Sequence, residues 1–125
     1  MKILVVDDML SMRKVMMKML RSLGHNNLDE ATNGLEALQK LRTQDFDLLI
    51  TDLHMPNLDG KQLLEKVRHD NKLADLPVLM VSCEDNKTKI TELVAAKVTG
   101  FIVKPFNTHI LRQHIDWIKE EVHIV

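Results

Sequence analysis

The sequence predicts an α/β fold: a five-stranded parallel sheet, doubly wound, with helices on both faces. Three observations carry that prediction. Short runs rich in aliphatic residues alternate along the chain with stretches whose apolar residues recur at helical spacing, the pattern of repeated strand–helix units. The clearest runs, Ile3-Leu4-Val5-Val6, Leu48-Leu49-Ile50 and Val78-Leu79-Met80-Val81, are apolar on successive residues, as strands covered on both faces must be. Most runs also stop at a charged or hydroxyl residue: Asp7 and Asp8, Asp52, Ser82 and Lys104.

Taken in order, the first strand covers residues 3–6. A helix follows with Met12, Val15, Met16, Met19, Leu20 and Leu23 on one face and Arg13, Lys14, Lys18 and Arg21 on the other. Gly24 stops it, and its methionines read as adaptable core filler. Residues 27–31 form a weaker strand, expected near an edge. Asn33, with Glu36 three residues on, resembles a capping pair for a short helix carried by Leu35, Leu38 and Leu41. Residues 47–51 form the central strand, and Asp52 sits at its carboxyl end. Pro56, Asn57 and Gly60 mark the loop beyond it. Leu63, Leu64 and Val67 mark a third helix that ends near Asp70 and Asn71. Residues 77–82 form a fourth strand, with Pro77 at the first position, where proline is tolerated. Ile90, Leu93 and Val94 carry a fourth helix, and Gly100 to Lys104 a fifth strand stopped by Pro105. Leu111, Ile115, Ile118 and Val122 line the last helix, capped by Asn107 or Thr108.

Composition narrows the class. A chain of 125 residues, 45% apolar and 28% charged, fits one ordinary globular domain over residues 1–125. A net charge of −1 offers no basic field to attract nucleic acid. A single cysteine, Cys83, excludes an internal disulfide and a multi-cysteine zinc site and fits a reducing compartment. The first apolar run is too short for a signal peptide, and no run approaches membrane-spanning length. Cytoplasmic location without membrane contact is the expectation.

The chemistry gathers at the strand ends, where open parallel sheets place their sites. Asp7, Asp8 and Asp52 must repel one another unless a cation sits between them. Carboxylates with a backbone carbonyl suit a hard divalent ion, magnesium or manganese. A carboxylate in that setting can act as a nucleophile on phosphorus. Lys104 would neutralise phosphoryl oxygens and Ser82 would donate a hydrogen bond to one of them. Each residue also has a plain structural reading: a helix cap for Asp7 or Asp8, a surface ion pair for Lys104. Their coincidence at equivalent strand ends favours one shared site.

This constellation resembles a response-regulator receiver domain of bacterial two-component signalling. The matching residues are Asp7-Asp8, Asp52, Met55-Pro56 with Asp59-Gly60, Ser82 and Lys104-Pro105. Ser11-Met12-Arg13, the region 24–27 and Leu76-Pro77-Val78-Leu79-Met80-Val81 are most similar to the stand-alone chemotaxis receivers. The resemblance spans the chain. It implies a flavodoxin-like (βα)5 fold with strand order 2-1-3-4-5, an order carried by the family and not by spacing. It further implies Asp52 as phosphoacceptor, with magnesium held by Asp8, Asp52 and the backbone carbonyl of His54, and Asp7 assisting through water. Lys104 would contact the phosphoryl group, and Ser82 and Phe101 would form a switch pair. A cis Lys104–Pro105 bond is implied too, against a general X–Pro frequency of about 5–6%. The implied partners are a sensor histidine kinase or phosphotransfer protein, a downstream target and a phosphatase, with the chain acting as a monomer.

Ser82 and Phe101 lie next to the last two helices, so any linked change should surface on the fourth helix, fifth strand and fifth helix. Trp117 falls off the buried line of the last helix, near His114. Phe101, His114 and Trp117 are therefore the expected partner surface. The sequence departs from the chemotaxis pattern at four positions. Phe101 stands where tyrosine is usual, Leu53 where tryptophan is common, Cys83 where a small residue is usual and Lys97 where a helix-ending glycine is usual. Cys83 is expected to be a small, partly buried residue. His109 and His114 do not share a helix face and so do not read as a metal pair.

Three other readings compete. A magnesium-dependent phosphatase of the haloacid dehalogenase type also uses an aspartyl nucleophile. That family separates its acids by one residue at the first strand, whereas Asp7 and Asp8 are adjacent and the candidate nucleophile comes at strand three. A nucleotide-binding module would need a glycine-rich phosphate loop, which follows no strand here. The third is a receiver cut from a longer regulator, or a phosphate sink without its own target.

Overall fold

In a computed structural model, described over residues 1–83 and 85–121, the chain alternates strands and helices. The order is β1 (Ile3–Val6), α1 (Leu10–Ser22), β2 (Leu28–Ala31), α2 (Gly34–Thr43), β3 (Leu48–Asp52), α3 (Gly60–His69), β4 (Val78–Ser82), α4 (Lys87–Ala95), β5 (Gly100–Val103) and α5 (Thr108–Glu121). The five strands form one parallel sheet in the order β2-β1-β3-β4-β5. Ile3 pairs with Leu28 and Leu48, Leu49 with Val78, and Leu79 with Gly100. All carboxyl ends therefore lie along one edge.

The two-residue period of each strand divides its side chains between two cores. Leu4, Val6, Leu49, Val78 and Met80 face α2, α3 and Leu93 of α4. Ile3, Val5, Leu48, Ile50, Leu79 and Val81 face α1 and α5. The three central strands are buried almost throughout, while only Ala31 of β2 and Ile102 of β5 are fully buried, as befits edges.

Local chemistry sets the helix ends. Asn33 Oδ1 accepts from the Glu36 amide at 2.9 Å. Asp59 and Gln62 form a reciprocal capping box that starts α3. Asn86 caps α4. Asn107 Oδ1 accepts from the Ile110 amide at 2.9 Å, so Asn107 is the cap of α5 and Thr108 its first helical residue. Gly24 follows α1 at φ 92°, and Lys97 follows α4 at φ 66°, a left-handed exit that usually falls to glycine.

Helix faces differ from the sequence expectation at several points. The inward residues of α1 are Arg13, Met16, Met17 and Leu20, whereas Val15 is exposed. Arg13 turns inward because its Nη1 donates to the Asp7 carbonyl at 2.8 Å and its Nε to Glu30 Oε1 at 2.7 Å. In α2 Leu35 is exposed and Gly34 is buried, because the Gly34 amide donates to the Leu58 carbonyl at 3.1 Å. In α4 only Leu93 is buried and Val94 is exposed. Val122 lies outside the described residues. Among those residues, no helix is long and apolar enough to cross a membrane.

Candidate functional site

Three carboxylates converge where β1 and β3 end. Asp7 follows β1, its amide donating to the Ala31 carbonyl at 3.2 Å and its Oδ1 accepting from the Met9 amide at 2.9 Å. Its carbonyl is held by buried Arg13, whose Nε pairs with Glu30 of the edge strand. Asp8 is the next residue and is exposed. Asp52 closes β3, with Oδ1 accepting from the Leu53 amide at 2.8 Å. One carboxylate oxygen from each of the three acids lies within 4.8 Å of the others.

Lys104, just beyond β5, reaches into this group. Its Nζ lies 3.4 Å from Asp7 Oδ2 and 3.7 Å from Asp52 Oδ2. Its amide donates to the Ser82 carbonyl at 2.9 Å, which ties β5 to the end of β4. The Lys104–Pro105 bond is cis. Among the described residues three carboxylates share the Lys104 ammonium, so negative charge is in excess at the site. Burial pushes the Asp52 carboxyl above its ordinary range; Lys104 opposes this, while Asp7 and Asp8 reinforce it. Oxygen donors with excess negative charge fit a hard divalent cation.

The loop that leaves β3 is pinned beneath the acids. The Gly60 amide donates to the Leu53 carbonyl at 2.8 Å, and Leu58 is buried where its carbonyl meets Gly34. Asn57 takes φ 68° to turn this loop, and asparagine tolerates that region well. His54 is exposed at the start of the loop.

Ser82 is fully buried at the end of β4. Phe101 lies on β5, in register with Met80, and packs against the core on the α2–α4 side. Phe101, His114 and Trp117 line one surface groove of about 340 Å³ with Gly100, and Trp117 is 48% exposed. Asp7, Asp8, Asp52 and Lys104 are thus brought together at the site, and Phe101, His114 and Trp117 at the expected partner surface. Cys83 differs from expectation: it is exposed, not partly buried, because it follows the last residue of β4 at the rim. Asp7 and Asp8 do not cap α1. The cap position is Met9, which makes no side-chain cap. Sequence reasoning missed the Arg13–Glu30 brace, which carries no local signal, and the Asp59–Gln62 capping box, whose three-residue spacing was visible.

The strand order and this cluster define a two-component receiver. The chain belongs to the response regulator receiver domain family, whose pattern matches residues 3–116, and such domains are phosphorylation-activated signalling switches. Across 98% of its length the chain is 45% identical to the chemotaxis protein CheY-3 of Vibrio cholerae, over 94% of that protein. It is also 45% identical to the chemotaxis protein CheY of Pseudomonas aeruginosa, over 99% of that protein. A crystal structure of the chemotaxis response regulator CheY4 of Vibrio cholerae superposes with TM-score 0.86 at 33% identity, covering 94% of this chain and 97% of that one. A response regulator receiver protein from Pseudomonas putida gives TM-score 0.84 at 28% identity, covering 92% and 94%.

Proposed function

We propose that residues 1–125 act as a single cytoplasmic receiver that accepts a phosphoryl group on Asp52 from a histidine kinase or phosphotransfer protein. The charged state is then read by a target protein in a chemotaxis-like pathway. One observation carries this reading: Asp52 is largely buried, crowded by two further acids, and 3.7 Å from the Lys104 ammonium. An Asp52 carboxylate oxygen attacks phosphorus, the P–N bond of the donor phosphohistidine breaks, and the imidazole leaves with the electron pair and takes up a proton. Asp8, Asp52 and the His54 carbonyl would hold magnesium, or manganese, with Asp7 assisting through water. When bound, the ion supplies positive charge against the phosphoryl oxygens. Lys104 offers its ammonium to one phosphoryl oxygen, and the Ser82 hydroxyl donates to another. Ser82 turning toward that oxygen makes room for Phe101, and the change emerges at the Phe101–His114–Trp117 groove. The chain acts as a monomer and catalyses only its own phosphorylation and dephosphorylation. Mass spectrometry after acetyl phosphate treatment is the direct test.

Three results are expected around this core. Asp8→Ala should weaken magnesium binding at least about tenfold, since even outer-shell partners of a metal cost that much when lost. An unchanged titration would remove Asp8 from the site. Lys104→Ala should still take up phosphate but fail to change its affinity for the target, because the lysine reads charge and attacks nothing. Normal switching in that variant would contradict the role. Trp117→Ala should lower target affinity by about 1–2 kcal/mol, roughly tenfold, while leaving Asp52 labelling intact. Equal affinity in the two proteins would move the interface elsewhere.

A further inference from the structure

A cavity of about 300 Å³ opens beside the acids and runs between α1 and the segment that enters α5. Asp7, Asp52 and Lys104 cluster in its lining, and Ile50, Val81 and Phe106 line it with them. Met12, Val15, Met16 and Met19 supply its wall. These belong to the stripe that helical spacing marks as core, yet Val15 stays 48% exposed because it borders this opening and is not covered by a neighbouring element. A concave, mainly apolar space with a few polar groups is the usual form of a small-molecule site, and this volume sits at the lower end of the usual range. Methionine walls adapt to varied stems.

We propose that this cavity binds an amphipathic organic cation, a primary amine on an apolar stem, and that its occupant displaces the divalent ion. Charge decides the class. Lys104 is already engaged by Asp7 at 3.4 Å and Asp52 at 3.7 Å, so an anion gains little from it and meets carboxylates on the way. A neutral stem gains burial but no anchor. An ammonium has three donors; the Asp7 and Asp52 carboxylates each already accept from a backbone amide and face Lys104, but each keeps spare lone pairs for a further donor, and the stem fills the methionine-lined part of the cavity. Binding depends only on the cavity. Inhibition of labelling rests in addition on Asp52 being the phosphoacceptor.

The test uses the whole chain with methionine methyls carbon-13 labelled, free of metal, titrated with hexylamine, methylamine, hexanol and hexanoate. Hexylamine should shift the Met12, Met16 and Met19 methyl signals and saturate. It should bind at least about tenfold more tightly than methylamine, which about two buried methylenes suffice to give. Hexanol and hexanoate should bind at least about tenfold more weakly than hexylamine, and magnesium should compete with it. Val15→Trp, which fills the mouth from an exposed position, should weaken hexylamine and leave magnesium affinity unchanged. Unmoved methyl signals, methylamine binding as tightly as hexylamine, tighter hexanoate, or simultaneous binding of amine and magnesium would each overturn the proposal. Hexylamine should also raise the magnesium concentration needed for half-maximal labelling by acetyl phosphate. A chain that takes up no phosphate without the amine would sink the phosphoacceptor reading, while the methyl shifts would still decide the cavity.

Discussion

Asp52→Asn should gain no phosphoryl group from acetyl phosphate and magnesium under conditions where the unsubstituted chain gains one, read by intact mass. The amide keeps the shape of the side chain, and its oxygen can still accept from the Leu53 amide, so loss of labelling isolates the missing nucleophile. Labelling at the original rate would place the acceptor on Asp7 or Asp8. The same substitution has a second consequence in the absence of metal. Burial, reinforced by Asp7 and Asp8, raises the folded carboxyl of Asp52 above its unfolded value despite Lys104. An acid with a raised folded pKa binds its proton more tightly in the native state, so ionising it costs stability as pH rises. That cost is absent below the unfolded pKa of about 3.9 and is complete once pH exceeds the folded value. Metal-free Asp52→Asn should therefore unfold at a higher urea midpoint than the unsubstituted chain at pH 7, and the gap should close toward pH 4. Excess magnesium should shrink the gap at pH 7, because a ligand at a hundred times its Kd stabilises the binding-competent protein by about 2.7 kcal/mol. A gap independent of pH would mean that the carboxylate carries no such cost.

Gly60→Ala should be the most destabilising single methyl addition near the site, at about 3 kcal/mol or more by denaturant unfolding. A Cβ at Gly60 would collide with the backbone carbonyl oxygen of Asp52 and lie 2.8 Å from Met80 Sδ and 2.9 Å from Leu53 Cα. Two of these are backbone atoms of the strand end that aims Asp52, so the chain can relieve the overlap only by moving that strand end or losing the 2.8 Å Gly60–Leu53 hydrogen bond. Labelling of Asp52 should slow in the same variant. Gly24→Ala is the control. A Cβ there meets nothing within 4 Å, and the φ of 92° costs only the left-handed backbone, about 1–2 kcal/mol. Equal stability of the two variants would show that the close approach at Gly60 carries no cost.

Both predictions depend on how the chain places its strand ends, and that placement was legible to an unequal degree. Strands β1, β3 and β4 could be read directly, because burial on two faces demands apolar residues in succession, a pattern that exposed segments do not produce. The polar residue at each strand end could be read for the same reason: it is where the apolar run breaks. Helix faces were harder. Val15, Leu35 and Val94 carry apolar side chains at inward spacing yet are exposed, and Arg13 has the opposite fate. Spacing defines a stripe on a helix. The side of the stripe that gains cover depends on the neighbour, such as the Leu58 backbone under Gly34 or the Asp7 carbonyl and Glu30 around Arg13.

The sequence by itself determined the number of strands and helices and the residue types at the carboxyl edge. These follow from a local rule, the period of burial. Only the tertiary structure decided distances. Asp7 and Lys104 are 97 positions apart in the chain and 3.4 Å apart in space. Their approach comes from β1 and β5 being carried by one sheet through β3 and β4, a long-range pairing that no local pattern encodes. The exposure of Cys83, the raised carboxyl of Asp52 and the cavity beside α1 have the same origin. Each is set by which elements pack together, and the space left between them is a property of the assembled fold.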